Sequence, residues 1–356
     1  MTMQSRLFGP HASGENAGHL TLRPLSQSRD TWQRLLSTIP GADLCHGYAW
    51  LDLLSEAYGL SMWLATFARE RGVVAGCVFA RSHNPFVKRF VSLPFSDNCP
   101  PLALDREAAG ELLDALVAQA TPGTVYEIRG IEAGAPWETD GCFVNWRLNL
   151  HRPLASIEQG LGLNFRRNLR RAAQAGIKVE RGDGLDHLKR FYALQLESRR
   201  RFGLPPQPWQ FFKLARERFT PGIFEVWLAS EHQQDVAAAI FLRDGEVIHF
   251  KWGARKVDRR SNANHLLFWN AIEEFVPRAV ALDLGRTDFR NEGLMRFKKE
   301  LGATATPLPY SFYPRAPRQV SPEVLTGGYK VLAQVWRRLP IFASRPLSRA
   351  IYRFLA

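Results

Sequence analysis

One pattern occurs twice in this chain, and that repetition limits what it can fold into more than any other feature. WLATFARERGVVAGCVFAR, beginning at Trp63, resembles WLASEHQQDVAAAIFLR, beginning at Trp227, and each reads as strand, polar turn, strand. Both copies continue into an apolar-periodic stretch, ELLDALVAQA from Glu111 and HLLFWNAIEEF from His265, whose spacing fits a helix packed on one face. A short strand follows each helix: VYEIRG at 125–130 and ALDLGR at 281–286. The copies stand 164, 154 and 156 residues apart at these three landmarks, an offset that isolated look-alike strands would not keep. We read an ancestral duplication of an α/β (α+β) unit with a mixed sheet. The first domain spans 1–150, the second 151–316, and a basic helical tail fills 317–356.

The second copy opens with NFRRNLRRAAQAG, which predicts a basic amphipathic helix. Phe165, Leu169 and Ala172 share one face, Arg166, Arg167, Arg170 and Arg171 occupy the rest, and Gly176 supplies a C-terminal stop. A second helix is predicted from Asp186 to Phe202, ended by Gly203 and Pro205, and a last strand at 308–313.

Composition narrows the classes. With 46% hydrophobic residues, 356 positions suffice for two cores. The longest uncharged apolar run, VVAGCVFA at 73–80, is far below the roughly 20 residues a membrane-spanning helix needs. The N-terminus has no apolar block behind its first basic residue, so the expected compartment is the cytoplasm. Cys45, Cys77, Cys99 and Cys142 form no C-x-x-C pair and no H-E-x-x-H occurs, so reduced thiols and no metal site are expected. The sequence also lacks a P-loop and a G-x-S-x-G elbow, which disfavours nucleotide hydrolysis and serine esterase chemistry.

A formal charge of +13 implies attraction to anions, and the cations bunch at 164–174, 197–203, 253–260 and in the last 32 residues. From Leu325 onward six basic residues and no acidic ones are mixed with aromatics. Such a tail suits the anionic inner-membrane surface, or it folds back on the first domain.

Several motifs together resemble one family. SLPFSDNCPPL (92–102), NFRRNLRRAAQAG (164–176), RRRFGLPP (199–206), DLGR (283–286) and MRFKKELGA (295–303) follow the order of the Fem-type aminoacyltransferases of peptidoglycan bridge formation. Their relatives in exopolysaccharide or cellulose synthesis share it. The resemblance covers about residues 45–315 and implies two tandem acyltransferase domains of the GNAT fold. It also implies transfer of an acyl or aminoacyl group to an amine, on a cell-envelope or exopolysaccharide precursor such as a lipid-linked sugar. The donor implied is acyl-CoA or aminoacyl-tRNA, used as a co-substrate and not tightly bound. The long helical hairpin of tRNA-using Fem enzymes has no counterpart in the sequence.

On this resemblance Lys298 of MRFKKELGA matches the lysine that faces the donor and its developing charge, beside Phe297. Taken alone, Lys298 and Lys299 also fit the solvated end of an amphipathic helix. Asp288 is the candidate proton acceptor, with Arg290 and Asn291 in the same acceptor-holding loop. Asp283 and Arg286 are read either as a structural ion pair or, for Arg286, as a substrate contact. Arg166 and Arg167 are candidate phosphate ligands, and Asp97 and Asn98 match the first-domain loop that contacts the acceptor. For the donor, DRRSNANHLL (258–267) lacks glycines but keeps Arg259 and Arg260, with Asn262 and Asn264 at a helix start suited to phosphate. The rival function is a nucleic-acid-binding or RNA-associated protein whose basic helices track phosphates.

Overall fold

The computed structural model describes residues 18–81, 88–219, 222–256 and 261–316, together with 334, 336–338 and 352 in the tail. In chain order the main elements are β1 (His19–Pro24), α1 (Arg29–Thr38), α2 (Tyr48–Tyr58), β2 (Ser61–Arg69), β3 (Gly72–Arg81), β4 (Lys88–Val91), β5 (Leu102–Ala103), α3 (Arg106–Ala118), β6 (Thr124–Arg129), β7 (Glu138–Asp140) and β8 (Phe143–Asn149). There follow α4 (Leu154–Gln159), α5 (Leu163–Gln174), β9 (Lys178–Gly182), α6 (Leu185–Phe202), α7 (Trp209–Arg218), β10 (Phe224–Glu231), β11 (Gln234–Asp244), β12 (Val247–Arg255), α8 (Ala263–Phe275), β13 (Ala281–Asp288), α9 (Glu292–Glu300), β14 (Thr304–Pro307) and β15 (Tyr310–Tyr313).

Local signals account for these boundaries. β3, β10 and β11 each hold six or more consecutive buried residues, as strands covered on both faces require. The Asp105 carboxylate accepts from the Ala108 N–H at 2.7 Å and starts α3, while Gly203, at φ +68, ends α6. The predicted amphipathic helix is α5, with Phe165 and Ala172 buried and its arginines turned outward or sideways.

The described residues form two units, each with its own mixed sheet. The first sheet runs β1-β2-β3-β4-β6-β15-β7, with β5 also paired to β3, and the second β14-β8-β13-β12-β11-β10-β9. β4 and β6 are parallel in the first, β12 and β13 in the second. The duplicated landmarks occupy matching places: β2-β3 with β10-β11, α3 with α8, and β6 with β13.

The units are not consecutive stretches of chain. β8 follows the first copy in sequence yet pairs with β13 in the second sheet, and β15 follows the second copy yet pairs with β6 in the first. The first sheet is thus completed by a strand from beyond the second copy, and the second by the strand just before its own copy. The helix α2 also belongs to the second unit: Trp50 stacks on Trp252 at 6.1 Å, and Tyr58 on Phe211 at 5.1 Å. The described tail residues belong to the same unit. Tyr352 is buried, stacks on Tyr58 at 5.3 Å and donates to the Pro205 carbonyl at 3.1 Å.

The parallel pair of the first unit is braced by a buried carboxylate. Glu127 on β6 accepts from Arg89 at 2.6 Å and from Arg129 at 2.8 Å. Burial pushes its carboxyl up, but the two guanidinium groups, Arg129 foremost, outweigh burial and hold it below its ordinary value of 4.5. A depressed carboxylate adds stability above its unfolded pKa and loses it as pH falls through the folded one. Glu127→Gln therefore destabilises the full chain by about 3–5 kcal/mol at neutral pH. In denaturant melts the gap from wild type narrows as the pH drops below 4.5; a gap that widens in acid contradicts the bracing role.

Candidate functional site

β12 and β13 are laddered over three residue pairs only, Val247–Ala281, Ile248–Leu282 and His249–Asp283. Beyond them β12 stays with β11 and β13 stays with β8, so residues 250–255 and 284–288 present backbone edges that are not laddered to each other. Both strands are irregular where they part. On β12 the register with β11 shifts between Phe250 and Trp252, leaving Lys251 as the extra residue. On β13 the register with β8 shifts between Asp283 and Gly285, and Gly285 takes φ +71, a conformation that favours glycine.

Side chains fix that second irregularity. The Asp283 carboxylate accepts from the Gly285 N–H at 2.8 Å and from Asn145 Nδ2 at 3.0 Å. From α9, Lys298 donates through Nζ to the carbonyls of Gly285 at 2.9 Å and Arg286 at 3.0 Å, with 3% of its surface exposed. The arrangement is a cleft between two strand edges, with an ammonium buried in one wall. In the first unit the matching pair does not open. β4 and β6 are laddered over four pairs, and Ser92 continues the pairing by donating its N–H to the Glu127 carbonyl at 2.8 Å.

The residues singled out in the sequence separate into groups. Asp288 is wholly buried and tied to Arg290, whose backbone N–H, Nε and Nη2 donate to the carboxylate at 2.9, 3.0 and 2.7 Å. Asn291 caps α9 by accepting from the Leu294 N–H at 3.2 Å. Phe297 is a packing residue, its ring 5.7 Å from Phe165 and 5.4 Å from Phe268. Arg286 lies over the Phe143 ring at 4.5 Å. Asp288, Arg290 and Arg286 therefore gather at the C-terminal end of β13, and Lys298 reaches that strand from the last turn of α9.

Arg166 is engaged by the backbone. It donates to the carbonyls of Leu161 at 2.9 Å and Gln159 at 2.6 Å, satisfying the end of α4. Arg167 reaches Asn164 at 2.8 Å on the exposed face of α5. Asn262 precedes α8 without a side-chain cap bond; Ser261 Oγ accepts from the Ala263 N–H instead, at 3.1 Å, and Asn264 lies in the first turn. Arg259 and Arg260 lie outside the described residues. Asp97 and Asn98 belong to the first unit, where the Asp97 carbonyl accepts from the Tyr310 hydroxyl at 2.6 Å.

Two further side chains near the cleft carry no motif. Thr287 is wholly buried on β13 and its hydroxyl has no partner among the described residues. His265, in the first turn of α8, packs between Phe165 at 4.7 Å and Phe297 at 5.4 Å, and burial lowers its pKa, so it is neutral at pH 7. Only the register could have exposed Thr287. Among the described residues no helix is long and apolar enough to cross a membrane.

A family model described as an acetyltransferase (GNAT) domain matches residues 163–299, from the start of α5 through Lys299 of α9. No curated protein matches the sequence. Among solved structures the chain is similar to FemX, at 14% identity over 79% of this chain and 95% of that one, with a TM-score of 0.60. It is also similar to the C-terminal domain of a putative lysylphosphatidylglycerol synthetase from Agrobacterium fabrum, at 15% identity, 81% and 93% coverage and a TM-score of 0.53. A tandem GNAT protein from the clavulanic acid biosynthesis pathway matches at 12% identity, 85% and 100% coverage and a TM-score of 0.51. At such identities the likeness to these structures is one of fold, and that fold is the pair of GNAT-like units expected from the duplication. Residues 163–299 match a GNAT acetyltransferase domain, which supports an acyltransferase, and the fold around them is similar to that of tandem GNAT proteins.

Proposed function

We propose that this protein transfers an acyl group from a coenzyme A thioester, held between β12 and β13, to an amine of an anionic cell-envelope or exopolysaccharide precursor. The observation that carries the reading is the parting of the two strands after three paired residues. The pantetheine arm of coenzyme A is a narrow chain bearing two amides. Two strand edges that do not ladder to each other offer such a chain the hydrogen bonds a missing strand would make. α8, which follows β12 through a short loop, brings helix N–H groups toward the phosphate end.

Lys298 acts in two ways in this account. Its ammonium braces the bulge through Gly285 and Arg286, and its charge lowers the energy of the oxyanion that forms when the amine attacks the thioester carbonyl. The new C–N bond forms, the C–S bond breaks, and the leaving thiolate takes up the proton that the amine gives up. Asp288, fully engaged by Arg290, anchors the 288–291 loop, so the acceptor arrives as the free amine. Arg167, Arg170 and Arg171, exposed along α5, supply the attraction to an anionic substrate. The basic tail adds attraction to an anionic membrane where that acceptor is lipid-linked.

Thermal shift decides the donor. Coenzyme A at 100 times its dissociation constant stabilises the fold by about 2.7 kcal/mol. Stabilisation by aminoacyl-tRNA and not by coenzyme A overturns the thioester. Lys298→Met keeps the side-chain length, removes the charge, and lowers thiol release from acetyl-CoA in the presence of an amino sugar by about 10²–10³-fold. Turnover equal to wild type in a folded variant contradicts the role of the ammonium.

A further inference from the structure

The helix α6 ends in Arg199-Arg200-Arg201-Phe202, and Gly203, at φ +68, turns the chain away. Its last carbonyls are met one by one. The Leu204 N–H donates to the Arg199 carbonyl at 2.9 Å and the Gly203 N–H to that of Arg200 at 3.0 Å. The Arg201 carbonyl is met from the tail: Arg337 Nε donates to it at 3.1 Å, and Arg200 Nε donates in return to the Arg337 carbonyl at 3.3 Å. The two segments lie 136 residues apart in the chain and in the same unit. Buried rings hold the tail there. Trp336, next to Arg337, is buried, and Tyr352 is buried against Tyr58 and donates to the Pro205 carbonyl.

The helix dipole accounts for cations in the last turn of α6. It does not account for what the tail brings. Arg337 and Arg338 are exposed and are carried to a helix tip where Arg200 and Arg201 are exposed already. Like charges repel, yet among the described residues no carboxylate pairs with Arg200, Arg337 or Arg338. Phe202 stands among these cations with 48% of its surface in water. Guanidinium groups stitched together by backbone hydrogen bonds, around an apolar ring left uncovered, complement a surface that is anionic outside and apolar beneath. A single-stranded nucleic acid is instead held along a groove by several stacking rings, and Phe202 is the one exposed ring that α6 and the described tail residues offer.

We propose that the tip of α6 and the tail docked on it form a surface that binds the interface of an anionic lipid bilayer. Phe202 enters the boundary of the acyl chains, and Arg200, Arg201, Arg337 and Arg338 meet the lipid phosphates around it. A guanidinium suits that task, since it contacts phosphate oxygens in pairs. Each arginine close to such a surface raises partitioning about fivefold, and the ring adds an apolar share that salt does not screen. Docking of the tail and attraction to a bilayer, alternatives in the sequence, become one arrangement: the bonds to α6 set two tail cations beside the two of the helix. That the bilayer also carries the acceptor rests on the function proposed above. The surface itself does not, and it is tested without acyl transfer.

Co-sedimentation of the full chain with vesicles of phosphatidylcholine alone, and of phosphatidylcholine mixed with phosphatidylglycerol, reads the partition coefficient. Wild type sediments with the anionic vesicles only, and added salt releases it. Phe202→Ala lowers partitioning about tenfold and leaves the salt dependence in place, because it removes the apolar share. Arg200→Ala combined with Arg338→Ala lowers it about 20-fold, from two factors of about five, and flattens the salt dependence. Taking the same charge from the first unit, at exposed Arg34 and Arg71, changes partitioning less than about twofold. Equal losses from the two pairs show that net charge alone acts and overturn the proposal. All the substituted side chains are exposed, and thermal melts matching wild type confirm each fold. Should the Arg200 and Arg338 variant fail to fold, Phe202→Ala decides alone: partitioning equal to wild type overturns the surface. Binding of a single-stranded oligonucleotide in place of vesicles, lost in the same variants, gives the surface to nucleic acid and overturns it equally. Vesicle binding as expected, without acyl transfer from acetyl-CoA to any amine, sinks the proposed function and leaves the surface standing.

Discussion

The ammonium of Lys298, sunk against the carbonyls of Gly285 and Arg286, is the contact on which the second unit's cleft depends. A charge taken out of water is costly unless strong acceptors surround it, and two backbone carbonyls at hydrogen-bond distance meet that need. Those carbonyls are available because β13 leaves regular geometry at Gly285, and it does so because the Asp283 carboxylate holds the Gly285 N–H. Acid, glycine and lysine thus form one device that turns β13 away from β12. Nothing in the hydrophobic pattern of either strand would part them, since the core beneath, with Phe241 against both Phe268 and Phe275, is continuous.

Set beside its duplicate, the device shows what divergence has done. The first unit keeps the parallel pair closed, fills the end of β6 with Arg89, Glu127 and Arg129, and spends its irregular geometry on the 93–100 loop instead. One ancestral plan has become an open cleft in one copy and a closed, braced pair in the other. Pairing of β15 makes the first sheet depend on a strand from beyond the second copy, whereas the strands of the second sheet all lie within residues 141–308.

The duplication, the helices α5, α6 and α8 and the fold class were legible in the sequence, because apolar period and fixed offset are local signals. The strand exchange was not, since pairing β15 with β6 needs contacts some 180 residues apart, as from Ser311 to Ile131. Of two adjacent lysines the structure buries Lys298 and exposes Lys299; the motif resemblance picked the first, where helical period alone favoured Leu294, Phe297 and Leu301 as the inward face. The sequence shows the charge of Arg166 but not the carbonyls of Gln159 and Leu161 to which it donates.

The central claim is that the edges of β12 and β13 receive the donor, and a crystal structure of the complex with coenzyme A tests it most directly. The account predicts the pantetheine amides hydrogen-bonded to backbone groups of residues 250–255 or 284–288, with the reactive sulfur toward the end of β13 and Lys298 still on the Gly285 and Arg286 carbonyls. Coenzyme A bound elsewhere, with the two strand edges left untouched, would contradict it.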